Sequence, residues 1–415
     1  MTATLSRRAA LAGFTGMAAL AGVNAAAFGQ PAAPTGAADN LADRLAGYVD
    51  GIGYGDLGAP VVELVKAHFI DSIGCAIGAF NEPPVRAVRD VALRNHGDAA
   101  TLIGTDRRTT TDWASFANGA ALRHFDLNDA YAGREVGHPS DNITPCLAVA
   151  EAEGSTGQDL ILAIALAYEI DCRLLDAVQI SARGWDHPNF SLPAAALASG
   201  KLMRLSRPQL AQAVNLALAG HLAVNQTRLE VLSNWKGLAD ADAGRNALFA
   251  AELARGDITG PAPAFEGKAG FFKQVSGPFT LDFGRFGGRG GAFKIADCSI
   301  KLYPAQALLQ TAIAAAAKIG AAVPDPVRVR SIVVGTTLAG KQYAADSTEK
   351  WAPETSETAD HSLPYIVARS MLDGQINGAS YTDQALHDPR LLALLAKLTV
   401  EEDAELTRMY PQKIP

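Results

Sequence analysis

Apolar residues recur at helical spacing along most of the chain. Leu41, Leu45 and Val49 form one such stripe, and longer apolar stretches cover 61–80 and 156–177. A spacing of three and four residues places these side chains on one face of a helix, so each stretch predicts a helix. Further helices are predicted where the same pattern recurs, at 111–122, 142–153, 244–256 and 362–372, and from Ser206 onward.

The hydrophobic pattern changes near residue 283. The glycine-rich segment 283–291 lacks the spacing of a phosphate-binding loop and is interpreted as a hinge. Beyond it, 327–334 begins with strict alternation of apolar and polar residues, which predicts a strand. The sequence therefore predicts a mainly α protein, with a large all-helical domain over 41–282 and a smaller α+β lid domain over 292–415.

The first thirty residues have the layout of an export signal. An arginine pair at 7–8 precedes an apolar stretch at 9–23, and three alanines at 25–27 offer a cleavage site. The arrangement resembles a twin-arginine signal, and the apolar stretch is shorter than the roughly 20 residues of a membrane span. We expect 1–30 to be removed and 31–40 to be a linker. The mature protein is then periplasmic without a stable membrane anchor, or cytoplasmic if the start codon is mis-set.

Composition narrows the class of protein. The 415 residues are 48% hydrophobic and 19% charged, which is typical of a globular chain. Lys and Arg total 36 against 43 Asp and Glu, so the acidic balance argues against a nucleic-acid partner. The four cysteines are too far apart for a CxxC motif or a clustered iron–sulfur site. They are expected to be buried apolar thiols, and they are Cys75, Cys146, Cys172 and Cys298.

Histidines and carboxylates concentrate between two predicted helices, in the segment 124–142. A divalent metal site is one interpretation of His124, Asp126 and His138. Their spacing matches no compact ligand motif such as HExxH, so no metal is predicted. Capping of the next helix by Ser140 or Asp141 explains some of these residues, but it does not explain the histidines.

Four other segments contain polar residues whose sequence neighbours suggest a functional position. His187 precedes a proline, which disfavours helical geometry and indicates a loop facing a cleft. Lys236 follows a tryptophan, and Lys301 lies just beyond the predicted hinge. In 357–365, Asp360 or Ser362 is expected to cap the following helix. Taken singly, each has an ordinary explanation: a structural histidine, a solvated lysine or a cap.

Taken together, these segments resemble the MmgE/PrpD family, which includes 2-methylcitrate dehydratase and cis-aconitate decarboxylase. The resemblance runs from about Leu41 to the C-terminus, and it implies a helical domain plus an α+β lid with the active site between them. It also implies a homodimer, a di- or tricarboxylate substrate and neither metal nor organic cofactor. The motifs stand in family order at 117–119 leading into 124–129, then at 138–142, 185–187, 235–236, 301–305 and 358–365.

The resemblance puts functional weight on a small set of residues. Dehydration of a hydroxy-polycarboxylate needs a base for a carbon-bound proton and an acid for the departing hydroxyl, and two histidines suit both tasks. Lysines can stabilise the dianion that forms, and Asp126 can orient a histidine. The predicted catalytic residues are Asp126, His138, His187 and Lys236, and the predicted substrate-binding residues are Arg123, Lys301, Tyr303 and Gln306.

Departures from the family pattern bear on the reaction. Gln306 stands where the decarboxylase branch has histidine, and Ala130 stands where it has threonine, which favours dehydration. Ser356 stands where the dehydratase-like branch often has arginine, and the chain is expected to be short at its C-terminus relative to the family. Decarboxylation or epimerisation through the same carbanion remains an alternative, as does a non-catalytic exported carboxylate-binding protein.

Overall fold

The computed structural model describes residues 40–410. The predicted signal segment 1–30 and all but the last residue of the predicted linker lie outside the described residues. The described residues are 61% helical when short 3-10 turns are included, and they form only three sheets of two strands each. The predicted mainly α class is confirmed. Within 40–410, none of the helices combines the length and apolar character that a membrane span requires.

The N-terminal part is a stack of helices around one large core. At its centre α7 is buried on nearly every side and packs against α6, α8 and α9. A helix that is apolar all round belongs in such a core. The helices are α1 (Leu41–Asp50), α2 (Gly58–Gly78), α3 (Pro83–Ala92), α4 (Thr111–Arg123), α5 (Ile143–Ala152), α6 (Gly157–Ala177), α7 (Pro188–Leu202), α8 (Arg207–Gly220) and α9 (Ala239–Arg255).

Local sequence signals explain where several of these helices begin. Thr156 and Asp159 form the expected capping box at the start of α6, and Ser206 caps α8 with Gln209. The prediction that Ser140 or Asp141 caps α5 is wrong. Both lie in a 3-10 turn, Pro139–Asn142, and their side chains bind Asn128 instead. The polar segment before α5 is thus directed inward.

The C-terminal part combines helices with a small parallel sheet and has a core of its own. The helices are α10 (Gln310–Ala322), α11 (Leu338–Ala344), α12 (Thr348–Trp351), α13 (Ser356–Ala359), α14 (Leu363–Asp373), α15 (Asp383–Leu386), α16 (Pro389–Leu395) and α17 (Ala404–Met409). Strands β5 (Ile332–Thr336) and β6 (Leu398–Glu402) pair in parallel, with Ile332 opposite Leu398. Four two-residue strands precede them and form two antiparallel pairs, namely β1 (Ala100–Thr101) with β2 (Arg108–Thr109) and β3 (Tyr131–Ala132) with β4 (Val136–Gly137).

The strand predicted over 327–334 begins later than expected, at Ile332. Pro326 opens a 3-10 turn whose first amide is capped by the Asp325 side chain, so the backbone turns before it extends. The predicted hinge 283–291 packs against the helical part. The Tyr48 hydroxyl donates to the Gly287 carbonyl at 3.0 Å, and the Gly287 amide donates to Glu169 Oε1 at 2.9 Å. Movement about this segment stays a prediction.

Candidate active site

A cavity of about 120 Å³ lies between the helical part and the C-terminal part. One water needs about 10–15 Å³ of such space, so the cavity accommodates a ligand of on the order of ten non-hydrogen atoms. We call it the histidine cavity because three histidines reach it. Its polar lining includes Arg123, Arg134, Glu135, His138, Asp186, His187, Asn225 and Arg228 from the helical part, and Gln306, Tyr343, His361 and Tyr410 from the C-terminal part.

His138 is held as a neutral imidazole. It follows β4 and lies directly before Pro139, and its Nδ1 is 2.7 Å from the Asp129 carbonyl oxygen. Because a carbonyl only accepts, Nδ1 carries the hydrogen, and Nε2 is left with a free lone pair. Burial, with Arg123 and Lys301 nearby, holds the pKa of His138 well below its usual value. His138 can therefore accept a proton at Nε2.

His187 is held in the opposite state. It stands immediately before α7, with Nδ1 3.0 Å from Asp186 Oδ1 and Nε2 3.0 Å from Asp240 Oδ1. Burial alone would lower the pKa of His187, but Asp240 and Asp186 outweigh it and raise the pKa to about 10. His187 is thus an imidazolium that can donate a proton.

Asp126 is the anionic centre of a buried ion cluster. It adopts a positive φ of 50°, a strained geometry for a residue with a side chain, just after α4 ends. Arg123 donates to its Oδ1 at 2.8 Å and Lys301 at 2.6 Å. Burial alone would raise the pKa of Asp126, but Lys301, Lys236 and Arg123 hold it well below its usual value. Asp126 therefore stays a carboxylate, with its Oδ1 3.8 Å from His138 Nε2.

The two predicted lysines are paired with carboxylates of the chain itself. The Lys236 ammonium donates to Asp360 Oδ2 at 2.5 Å and lies 3.6 Å from Asp126 Oδ2. The Lys301 ammonium donates to both the carbonyl and the carboxylate of Asp126. Neither side chain is among the residues that line the histidine cavity. The structure brings all four predicted catalytic residues together, with these lysines behind the cavity wall.

Besides the His187 imidazolium, three arginines line the histidine cavity. Arg123 is almost fully buried and also lies 3.3 Å from Asp240 Oδ2. Arg228 binds Asp186 through Nε and Asp240 through Nη2, each at 2.9 Å. Arg134 lies exposed at the rim, where it donates to a backbone carbonyl at 3.4 Å and makes no ion pair with any described residue. Sequence reasoning missed Arg134 and Arg228, since isolated arginines in loops resemble any surface arginine.

The two remaining predicted binding residues differ in position. Gln306 lines the cavity, and its buried Oε1 has no hydrogen-bond partner among the described residues. A ligand hydroxyl would supply the missing donor. Tyr303 does not line the histidine cavity. Its side chain packs against the C-terminal core, and its backbone amide donates to Gln310.

His361 is a cavity residue that sequence reasoning also missed. Its Nδ1 lies 2.5 Å from Asp360 Oδ1, and its Nε2 lies 3.5 Å from Asp126 Oδ2. Burial and the nearby Lys236 ammonium hold the pKa of His361 well below its usual value. The available signal was the motif 357–365. Ser362 caps α14 as expected, and a cap at this position does not by itself predict a role for the adjacent histidine.

Among residues 40–410, two groups of side chains bring metal-ligating atoms within 4.8 Å of one another. In the first, formed by Asp126, Asp360 and His361, the Lys236 ammonium already lies between the carboxylates. In the second, formed by Asp141, His187 and Asp240, the guanidinium groups at positions 123 and 228 already contact the carboxylates. A divalent cation in either group would meet an existing positive charge, so the donor sets suit ion pairing within the chain better than metal binding.

The protein is mainly helical, and its cavity places a neutral histidine opposite an imidazolium, with three arginines beside them. Such a site is suited to acid/base chemistry on an anion. The chain belongs to the MmgE/PrpD family. The MmgE/PrpD N-terminal domain matches residues 43–284, and the MmgE/PrpD C-terminal domain matches residues 303–415. The resemblance predicted from the motifs is confirmed.

Curated relatives cover most of the chain at modest identity. The 2-methylcitrate dehydratase of Cupriavidus necator is 27% identical over 82% of this chain and 73% of its own length. The 2-methylcitrate dehydratase of Salmonella typhimurium is 26% identical over 84% of this chain and 75% of its own. The cis-aconitate decarboxylase-like protein oryM of Aspergillus oryzae is 26% identical over 89% of this chain and 81% of its own. These names support a lyase-like family.

Proposed function

We propose that this protein is a hydro-lyase that eliminates water from a hydroxy-polycarboxylate such as 2-methylcitrate. The observation that carries the proposal is the pairing of His138 and His187 on one cavity, with ring centroids 5.4 Å apart and opposite protonation. Elimination of water needs a base and an acid at the same time, and binding alone needs neither. The similarity to proteins named 2-methylcitrate dehydratase supports the choice of substrate class.

In the proposed reaction, His138 Nε2 removes a proton from the carbon next to a substrate carboxylate. The electron pair of that C–H bond forms the carbon–carbon double bond as the C–O bond breaks. His187 donates its proton to the departing hydroxyl, which leaves as water. The two histidines exchange protonation states in the cycle, and each recovers its starting state by proton exchange with solvent.

Negative charge grows on the substrate carboxylate when the carbon-bound proton leaves. We assign its stabilisation to Arg123, Arg228 and Arg134, because these cations line the cavity. Lys236 and Lys301 then act indirectly by holding Asp126 as a carboxylate. Asp126 in turn faces His138 and His361. Since the arginines provide the positive charge, the scheme needs no metal.

Decarboxylation is the second candidate, because the chain is similar to a cis-aconitate decarboxylase-like protein over 89% of its length. Loss of carbon dioxide from a polycarboxylate also leaves a carbanion, and the imidazolium of His187 would then protonate it. Gln306 stands where that branch has histidine, which favours dehydration. Epimerisation would return the proton to the opposite face of the same carbon.

We further propose that the protein is exported. The support is the sequence of residues 1–30, where an arginine pair precedes an apolar stretch and small residues. A periplasmic enzyme would meet external carboxylates directly. A cytoplasmic location would follow if translation starts further downstream.

Incubation of the purified protein with a panel of hydroxy-polycarboxylates tests the reaction. The panel contains 2-methylcitrate, citrate and malate, each with and without a chelator. Dehydration produces the ultraviolet absorbance of a conjugated enoate and is expected to survive chelation. Release of carbon dioxide in place of water would favour the decarboxylase, and solvent deuterium exchange without either product would favour the epimerase. Binding without turnover of any acid would favour a carboxylate-binding protein, and His138→Gln serves as the inactive control.

A further inference from the structure

Two cysteines far apart in sequence have their thiols in contact. Cys172 Sγ lies 3.7 Å from Cys298 Sγ, and this is the only thiol–thiol contact within the described residues. Cys172 is fully buried within α6, whereas Cys298 follows the 3-10 turn Lys294–Asp297 and is partly exposed. Cys298 is thus less buried as a residue than the other three cysteines. Of the two cysteines, Cys298 lies nearer the surface, so an oxidant would reach its thiol first.

We propose that Cys172 and Cys298 form a disulfide bond when the protein meets an oxidising compartment. The oxidant is an external disulfide, either a small molecule of the glutathione class or a protein disulfide. The Cys298 thiolate attacks that disulfide and releases one thiol, which leaves a mixed disulfide on Cys298. The Cys172 thiolate then displaces the second thiol and closes the internal bond. Two protein thiols and one external disulfide become one protein disulfide and two external thiols.

The required movement is small. A disulfide has its sulfur atoms about 2.05 Å apart, so the two atoms must approach by roughly 1.7 Å. Cys172 is held by helix packing, whereas Cys298 lies in an irregular segment outside any α-helix or strand. We therefore expect Cys298 Sγ to move toward Cys172 Sγ. Burial raises the pKa of both thiols, so exchange is slow at neutral pH and becomes faster as the pH rises.

The bond would tie the chain close to the active site. The residue after Cys298 is Ser299, whose amide and carbonyl each pair with Ala130 at 2.9 Å. Two residues further on, Lys301 binds Asp126. Cys298 lies in the segment that connects the parts of the chain matching the N-terminal and C-terminal family domains. The disulfide would anchor this connecting segment to α6. A cross-link closing so long a loop restricts the unfolded chain and stabilises the fold.

The test treats the purified full-length protein with oxidised glutathione at pH 8 and counts free thiols after denaturation. The reduced protein has four thiols, and the oxidised protein is expected to have two. Peptide mapping without reduction should then recover one cross-linked pair containing Cys172 and Cys298. The thermal midpoint should rise by on the order of 5 °C and return when dithiothreitol is added.

Single cysteine-to-serine variants distinguish the Cys172–Cys298 disulfide from oxidation of other thiols. Cys298→Ser should keep all of its remaining thiols free, and Cys172→Ser should stop at a mixed disulfide on Cys298. The matched control Cys75→Ser should still form the bond. Four free thiols in the wild-type protein after prolonged oxidation would overturn the proposal, and so would a cross-link between any other pair. The wild-type measurement decides the matter even if a variant fails to fold.

Discussion

His138 and His187 lie edge to face across the histidine cavity, with ring centroids 5.4 Å apart and planes inclined at 64°. The two imidazoles differ in charge because their neighbours differ. His138 meets a carbonyl and nearby cations, whereas His187 stands between two carboxylates. One ring is ready to accept a proton, and the other is ready to donate one.

Replacing either histidine by glutamine should remove a proton-transfer group with little change in shape. We expect kcat to fall by about 10²–10⁴-fold for His138→Gln and for His187→Gln, with little change in KM. Steady-state kinetics on the substrate found in the carboxylate panel measure this effect. The exposed His96 provides a control, and His96→Gln should leave both constants unchanged. A loss confined to KM would contradict the acid/base assignment.

The pH profile of kcat/KM should be broad. Activity needs His138 unprotonated and His187 protonated, so it rises at a pH well below 6.5 and falls near pH 10. Asp186→Asn removes a charge that raises the pKa of His187, so the alkaline limb should move down by about 1–3 pH units. Asp90→Asn, on the exposed face of α3, is the matched control. An alkaline limb that stays in place would exclude His187 as the titrating acid.

Lys301→Met separates an indirect role of the lysine from direct substrate binding. The Lys301 charge helps to keep the pKa of His138 low, so its removal should raise that pKa. The acid limb of kcat/KM should then move to higher pH, and Lys301→Arg should restore it. The exposed Lys318 provides a control as Lys318→Met. A rise in KM with an unmoved acid limb would instead indicate direct contact with the substrate.

Arg134 is expected to bind a substrate carboxylate at the cavity rim. Losing one charge-assisted hydrogen bond to an anion should raise KM by about 10–100-fold in Arg134→Gln, with kcat less affected. The thermal midpoint should stay unchanged, because this exposed side chain makes no ion pair with the described residues. Arg134→Lys should recover part of the affinity, and Arg86→Gln serves as a control elsewhere on the surface. An unchanged KM would remove Arg134 from the site.

Residues 1 to about 28 should be absent from the mature protein. N-terminal sequencing of protein recovered from the periplasm of an export-competent host measures this. Replacing Arg7 and Arg8 together by lysine should block export if the route is the twin-arginine one. Recovery of protein that retains Met1 from the cytoplasmic fraction would contradict the prediction.

Much of this protein follows from local sequence. Helical periodicity indicates the mainly α fold, and short-range side-chain contacts decide where several helices begin, as Thr156 and Ser206 show. The motifs identify the family and single out Asp126, His138, His187 and Lys236, which the structure brings together. These features are readable because each depends on residues that are near one another in the chain.

The charge states of the site residues are decided by the tertiary structure. The imidazolium form of His187 depends on Asp240, which lies more than fifty residues further along the chain, and the pairing of Lys236 depends on Asp360 in the C-terminal part. Arg134 and Arg228 become cavity residues only when distant loops meet. Local sequence carries no sign of these contacts, because a pKa is set by burial and by the charges within a few ångströms, whatever their distance in sequence.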